Sequence, residues 1–187
     1  MLPVPGRGNV GGAGPTSQAG VAMTTIDRAA VTRHVYFHDP SAPVADAVVP
    51  SVFVAVRWRG GRLLLVRRCD DGSWELPGGR VDVGESAVEA AVRETAEEAG
   101  VQVVVTGLAG LFSDPGHVVR SPTGEVRQQF VLLFRARAVG GTPRGDQHET
   151  CDAAWVPVAD LPGLPMEPPV RLWIAQALTV EESAHLA

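Results

Sequence analysis

Glu94, Glu97 and Glu98 are the residues of this 187-residue chain best placed to do chemistry. At i, i+3 and i+4 of one helix, their carboxylates project from one side. Exposed like charges at that spacing repel by roughly 0.2–0.5 kcal/mol per pair. A segment built only for stability would carry Lys among them. A hard divalent cation such as Mg²⁺, by contrast, needs clustered oxygen ligands. Pro77-Gly78-Gly79 lies just upstream, where backbone carbonyls and amides can come close to a metal or a phosphate. Arg93 sits among the carboxylates within reach of Glu97, placed first to orient ligands and second to touch substrate. The full spacing is Gly79, five residues, Glu85, seven residues, Arg93-Glu94, two residues, Glu97-Glu98, one residue, Gly100-Val101. A solvated acidic helix face accounts for the glutamate triplet alone. It does not account for the loop, Glu85 and Arg93 falling in register with it.

The elements that must position these groups are legible around them. Ser86 and Glu89 form a capping box for a helix over 86–99, and Gly100 is its stop. Ala87, Val88, Ala91, Val92, Thr95 and Ala99 recur near a 3.6 period and give the face expected to pack on the core. Val31–Phe37, Val48–Trp58, Leu63–Arg67, Val101–Val105, Leu108–Phe112, Phe130–Arg137 and Ala153–Val158 read as strands. Arg59-Gly60-Gly61-Arg62 reads as a hairpin turn, and Arg171–Leu178 as a closing helix. Hairpin-linked strands with interspersed helices favour a mixed sheet with helices on its faces. Residues 1–28 are expected to form a disordered Gly/Pro-rich tail, with Met23 an alternative start, and 29–187 a single domain.

Bulk composition narrows the class. The net charge of −5 argues against general affinity for nucleic acid or an anionic membrane. No apolar run reaches the roughly 20 residues needed to span a bilayer. Cys69 and Cys151 are too few and too far apart in the chain for a disulfide framework and are expected to be reduced thiols in a cytoplasmic protein.

These 23 residues, Gly79 to Val101, resemble the Nudix box at every charged and glycine position. Thr95 alone departs, standing where an aliphatic residue is the rule. Trp74-Glu75-Leu76-Pro77-Gly78-Gly79 resembles the family's entry to the loop, and Trp155-Val156-Pro157 with Asp160-Leu161 its late strand and turn. The resemblance implies an α/β/α sandwich whose mixed sheet lies between helices. It implies Mg²⁺, with Mn²⁺ as a substitute, held by Glu94, Glu97 and Glu98, one of them serving as the base. Glu85 would join through water or by pairing with Arg93, and the Gly79 carbonyl would complete the shell. It also allows a homodimer, an arrangement common in the family. The reaction implied is hydrolysis of a phosphoanhydride in a nucleoside diphosphate linked to another moiety, such as ADP-ribose or a nucleotide sugar. The rival is a nucleoside triphosphate pyrophosphatase of the MutT type. A non-catalytic nucleotide sensor is the third reading, though such domains often lose box glutamates and this chain keeps all of them.

Outside the box the readings stay open. Glu149 is either an additional catalytic carboxylate or an ordinary loop residue, with His148 and Asp152 weaker candidates. Phe112-Ser113-Asp114-Pro115-Gly116 is similar to the proline loop of the family's ADP-ribose hydrolases, with the proline one position early, or it is a plain turn. His117 beside it could meet phosphate, serve as a general acid or sit on the surface. Gly78, Arg80 and Arg127 are further candidates for substrate contact, as are Arg120, Gln128 and Gln129. Trp74 and Trp58 could stack on a base or serve as core or turn aromatics.

Overall fold

Side chains along β2 (Ala47–Trp58) alternate between two apolar cores. Val52, Val54 and Val56 enter one, while Phe53 and Ala55 enter the other. β3 (Arg62–Arg68) does the same, with Leu64 and Val66 on the first side and Leu63 and Leu65 on the second. Strands buried on both faces read as continuous apolar runs, which is how both appear in the sequence. This computed structural model describes residues 32–179 and 185–186, and its ten strands form one mixed sheet.

β8 (Val126–Gly141) is its central member. It runs parallel to β2 and antiparallel to both β6 (Val101–Phe112) and β7 (His117–Arg120). β1 (His34–Phe37) pairs with β7, and β10 (His185–Leu186) with β6. β4 (Trp74–Glu75) and β9 (Thr150–Pro157) pair with β3, and β5 (Gly78–Arg80) with β2. α1 (Ala87–Ala99) packs Ala90, Ala91 and Ala99 onto one face of the sheet. α2 (Pro168–Leu178) packs Val170, Trp173, Ile174 and Ala177 onto the other. The sandwich implied by the resemblance is the fold observed.

Both ends of α1 are closed as expected. Ser86 accepts from the Glu89 amide at 3.2 Å, Glu89 accepts from the Ser86 amide at 2.8 Å, and Gly100 takes φ 66°. Its buried face differs from the expected one. Ala90, Ala91, Thr95, Glu98 and Ala99 are buried, whereas Val88 and Val92 are exposed. Glu98 lies where a purely structural helix would carry an apolar residue. Thr95 Oγ1 donates to the Ala91 carbonyl at 2.7 Å, so the hydroxyl is satisfied inside the core.

The strand limits and the cysteines are corrected. Val101–Phe112 is one strand, because the break read at Thr106-Gly107 is absorbed as bulges against β8. β8 extends well beyond Phe130–Arg137 in both directions, and β7 is a strand additional to those expected. The two cysteines are not free thiols. Antiparallel pairing of β3 with β9 brings Cys69 and Cys151 to a Cα separation of 4.9 Å, and they form a disulfide despite lying 82 residues apart. No helix among the described residues is long and apolar enough to cross a membrane. The expected N-terminal tail falls outside the described residues.

Candidate active site

A cavity of about 650 Å³ opens beside the N-terminal half of β2, walled by β5, α1, the β7–β8 turn and the segment entering β9. α1 and β5 supply its acidic wall: Glu94, Glu97, Glu98, Gly78 and Gly79. The Gly78 amide donates to Glu98 Oε2 at 2.9 Å. A Cβ at Gly78 would meet the Val52 carbonyl and the Phe53 backbone, so only glycine fits there, whereas a Cβ at Gly79 would push the Glu94 carboxylate aside. Burial pushes the Glu98 carboxyl well above its ordinary range, reinforced by the neighbouring charge of Glu75 and, more weakly, by Glu94 and Glu149. Burial also raises Glu94, and Arg93 opposes that shift.

Arg93 ties this wall together. Its guanidinium meets Glu85 at 2.6 Å, Glu94 at 2.9 Å and Glu97 at 3.3 Å, and donates to the Arg80 carbonyl at 3.2 Å. Glu85 is held down to about 2 by Arg93 and by the Asp82 amide. It faces Arg93 and is not among the residues lining the cavity. Of the two roles open to it, the structure shows the pairing.

The opposite wall was largely unforeseen. Glu75, buried, accepts from Arg33 at 3.2 Å and from Arg68 at 2.9 Å, and Arg68 also meets Asp70 at 2.8 Å. Arg33 to Glu75 spans 42 residues, so no local pattern announces the pair. Arg80 pairs with Glu125, and Arg127 donates to Gln129. His148 and Glu149 line the cavity from the turn before β9, where Asp146 accepts the amides of His148, Glu149 and Thr150.

Thus Gly78, Gly79, Arg80, Arg93, Glu94, Glu97, Glu98, Arg127 and Glu149 come together at one cavity. Trp74, Pro115 and His117 do not. Trp74 packs against the α2-side core, its amide donating to the Pro165 carbonyl. His117 is buried between Phe37 and Trp173, each ring centroid 5.7 Å away, because β7 pairing turns it inward. Pro115 lies in the tight turn Asp114–His117, which is closed by the His117 amide donating to the Asp114 carbonyl.

A model of the NUDIX domain matches residues 48–177. The chain belongs to the Nudix family. A Bacillus subtilis (strain 168) protein named "Putative 8-oxo-dGTP diphosphatase" is 39% identical over 110 residues, 59% of this chain and 67% of that one. A Mycobacterium tuberculosis (strain ATCC 25618 / H37Rv) protein named "Putative 8-oxo-dGTP diphosphatase 2" is 35% identical over 144 residues, covering 75% and 91%. The crystal structure of MutT NUDIX hydrolase from Burkholderia pseudomallei superposes with a TM-score of 0.57 at 28% identity, covering 71% of this chain and 98% of that one.

As a Nudix pyrophosphohydrolase the chain belongs to enzymes that act on small nucleotides and generally use divalent metals. The wall fits such an ion. Glu98 is a buried and Glu94 a half-buried carboxylate, within mutual repulsion and that of Glu149, and Arg93 pairs with Glu94. Among the described residues no three carboxylate, imidazole or thiolate groups close on one point. An open wall suits Mg²⁺, which keeps several waters and takes one or two carboxylates rather than a full protein cage.

Proposed function

We propose that this Nudix hydrolase cleaves the phosphoanhydride bond of a nucleoside diphosphate linked to another moiety, with Glu98 as the base. The observation that supports it best is Glu98 itself. Its carboxylate is buried in the cavity wall with one oxygen engaged by the Gly78 amide and no cation within 4 Å among the described residues. Burial favours the protonated form, so Glu98 is suited to take a proton from an attacking water near neutral pH. Glu94, Glu97 and the Gly79 carbonyl would hold Mg²⁺ or Mn²⁺, which supplies neutralisation of the bridging phosphates. Arg93, fixed by Glu85, positions Glu94 and Glu97 and leaves their remaining oxygens to the ion. Glu149 adds negative charge at the mouth, and Arg80 and Arg127 offer donors to substrate oxygens.

Two observations favour the case in which the other moiety is phosphate, that is, a nucleoside triphosphate. The signal that pointed to ADP-ribose, Pro115, is not among the residues lining the cavity. The two relatives above carry names of triphosphate-acting enzymes. A panel of nucleoside triphosphates, ADP-ribose and nucleotide sugars, run with Mg²⁺ and resolved by product, tests this. Inorganic pyrophosphate released from triphosphates is the expected result. Two monophosphate products from ADP-ribose or a nucleotide sugar would return the substrate to the first class. No hydrolysis of either would overturn the enzyme reading. We place the protein in the cytoplasm with its nucleotides; the Cys69–Cys151 disulfide stands against that compartment, where such bonds are rare.

A further inference from the structure

Gln129 is 3% exposed and lines the cavity from β8. Ser51, buried beside it on β2, donates to Gln129 Oε1 at 3.4 Å, and Arg127 Nε donates to the same oxygen at 3.3 Å. Guanidinium groups carry donors only, so the amide atom facing Arg127 must be the oxygen. This fixes which way the carboxamide lies. Gln129 Nε2 then has no hydrogen-bond partner among the described residues, and it is not sealed inside the protein. Arg127 offers further donors beyond its bond to Gln129. Arg33, Arg68, Arg80 and Arg93 each meet a carboxylate, whereas Arg127 meets none among the described residues.

The result is a half-buried wall that presents N–H groups and whose one amide acceptor is already taken twice. Phe53, on the same face of the sheet by β alternation, lines the cavity beside it. The acidic wall with Gly79, Glu94 and Glu98 is the end suited to metal and phosphates. A neutral carboxamide next to an aromatic ring suits a base edge better than a phosphate. Buried donors left unpaired reject a ligand that cannot fill them.

We propose that Gln129, held by Ser51 and Arg127, is the specificity-determining residue for the nucleobase. It selects an edge carrying oxygen and ring-nitrogen acceptors, a 6-oxopurine, over one that presents an amino group, a 6-aminopurine. This rests on the reading that the cavity hydrolyses nucleoside phosphates. Arginine donors matched to the O6 and N7 acceptors of guanine are a frequent specific pairing, whereas adenine places a donor at the first of those positions.

The test is kcat/KM for GTP, ITP and ATP with Mg²⁺ on the full chain, beside Gln129→Leu and Gln129→Glu. Binding of GDP and ADP is measured by calorimetry on the same proteins. Wild type is expected to favour GTP and ITP over ATP by about tenfold or more, the scale of one good pair of base contacts. Gln129→Leu should reduce that ratio to near one, chiefly through loss on the oxo substrates, and the GDP/ADP binding ratio should follow. Gln129→Glu, of equal size, should shift preference toward ATP by offering an acceptor, which keeps the test alive if the leucine variant folds poorly. Equal use of GTP and ATP by wild type, or a preference that survives both substitutions, overturns the proposal. An equal loss on all three substrates also overturns it and assigns Gln129 to phosphate. Should wild type bind GDP and ADP with the predicted bias yet hydrolyse nothing, the base assignment stands and the catalytic reading alone falls.

Discussion

Two cavities share a wall in this molecule, the contact between Phe53 and Trp173, whose ring centroids lie 4.5 Å apart. On the Phe53 side lies the cavity of about 650 Å³, lined by five arginines, six glutamates and Asp70. On the Trp173 side lies one of about 370 Å³, lined mainly by Phe37, Phe112, Leu172 and Trp173, with Asp114 and His117 at its edge. In the first, most of the charges outlast burial because they have a partner of opposite sign, Glu98, Glu149 and Arg127 being the exceptions among the described residues. In the second, the one buried ionisable side chain has lost its charge. Burial brings His117 down to about 4, with Arg33 adding to the shift. Concavity alone therefore identifies neither site nor chemistry; the pattern of retained charge separates a cavity built for anions and cations from one that is apolar.

The largest effect expected from breaking this contrast is at Glu75. Glu75→Ala removes the buried carboxylate shared by half-buried Arg33 and Arg68, of which Arg68 keeps Asp70, and should destabilise the fold by about 3 kcal/mol, the lower end for breaking a buried pair, read as a lower urea midpoint. A loss below about 1 kcal/mol would show that solvent already screens the pair.

The apolar cavity should respond to acid. A histidine whose folded pKa lies below its unfolded value of about 6.5 contributes nothing to stability above that pH. As pH falls from about 6.5 toward 4, the unfolded chain takes up the proton first and stability drops, by up to about 3 kcal/mol. His117→Phe should flatten that part of the stability profile. An unchanged profile would contradict the buried, neutral histidine.

The smallest effect expected is on turnover at the same positions. His117→Phe and Pro115→Ala should leave kcat/KM within about twofold, since neither residue lines the charged cavity. A tenfold loss would join the two cavities into one site.

Legibility followed sequence distance. α1 and its loop were readable because the capping box, Gly100, Arg93 and three glutamates act within a few turns of one another, and backbone geometry alone puts them on one wall. The helix face was misread at Val88 and Val92 because the period does not reveal which side the sheet occupies, and Glu98 displaced an apolar residue there for a reason of chemistry. Glu75 with Arg33, Gln129 with Ser51, and Cys69 with Cys151 depend on strand register across 42, 78 and 82 residues. Nothing local in the chain encodes those meetings. His117 looked like a lone polar residue beside a turn because β7 is a four-residue strand whose burial comes from α2.

The central claim is that buried Glu98 acts on the reaction rather than on the fold. Turnover of the preferred nucleoside phosphate at saturating Mg²⁺, for wild type and Glu98→Gln side by side with their thermal unfolding, tests it. The substitution should lower kcat by at least ~100-fold, the scale of losing a general base, with a melting temperature at or above that of wild type, since burial already disfavours the charged form and glutamine keeps an oxygen for the Gly78 amide. Near-normal kcat, or a loss of activity that merely tracks a loss of folded protein, would contradict the account.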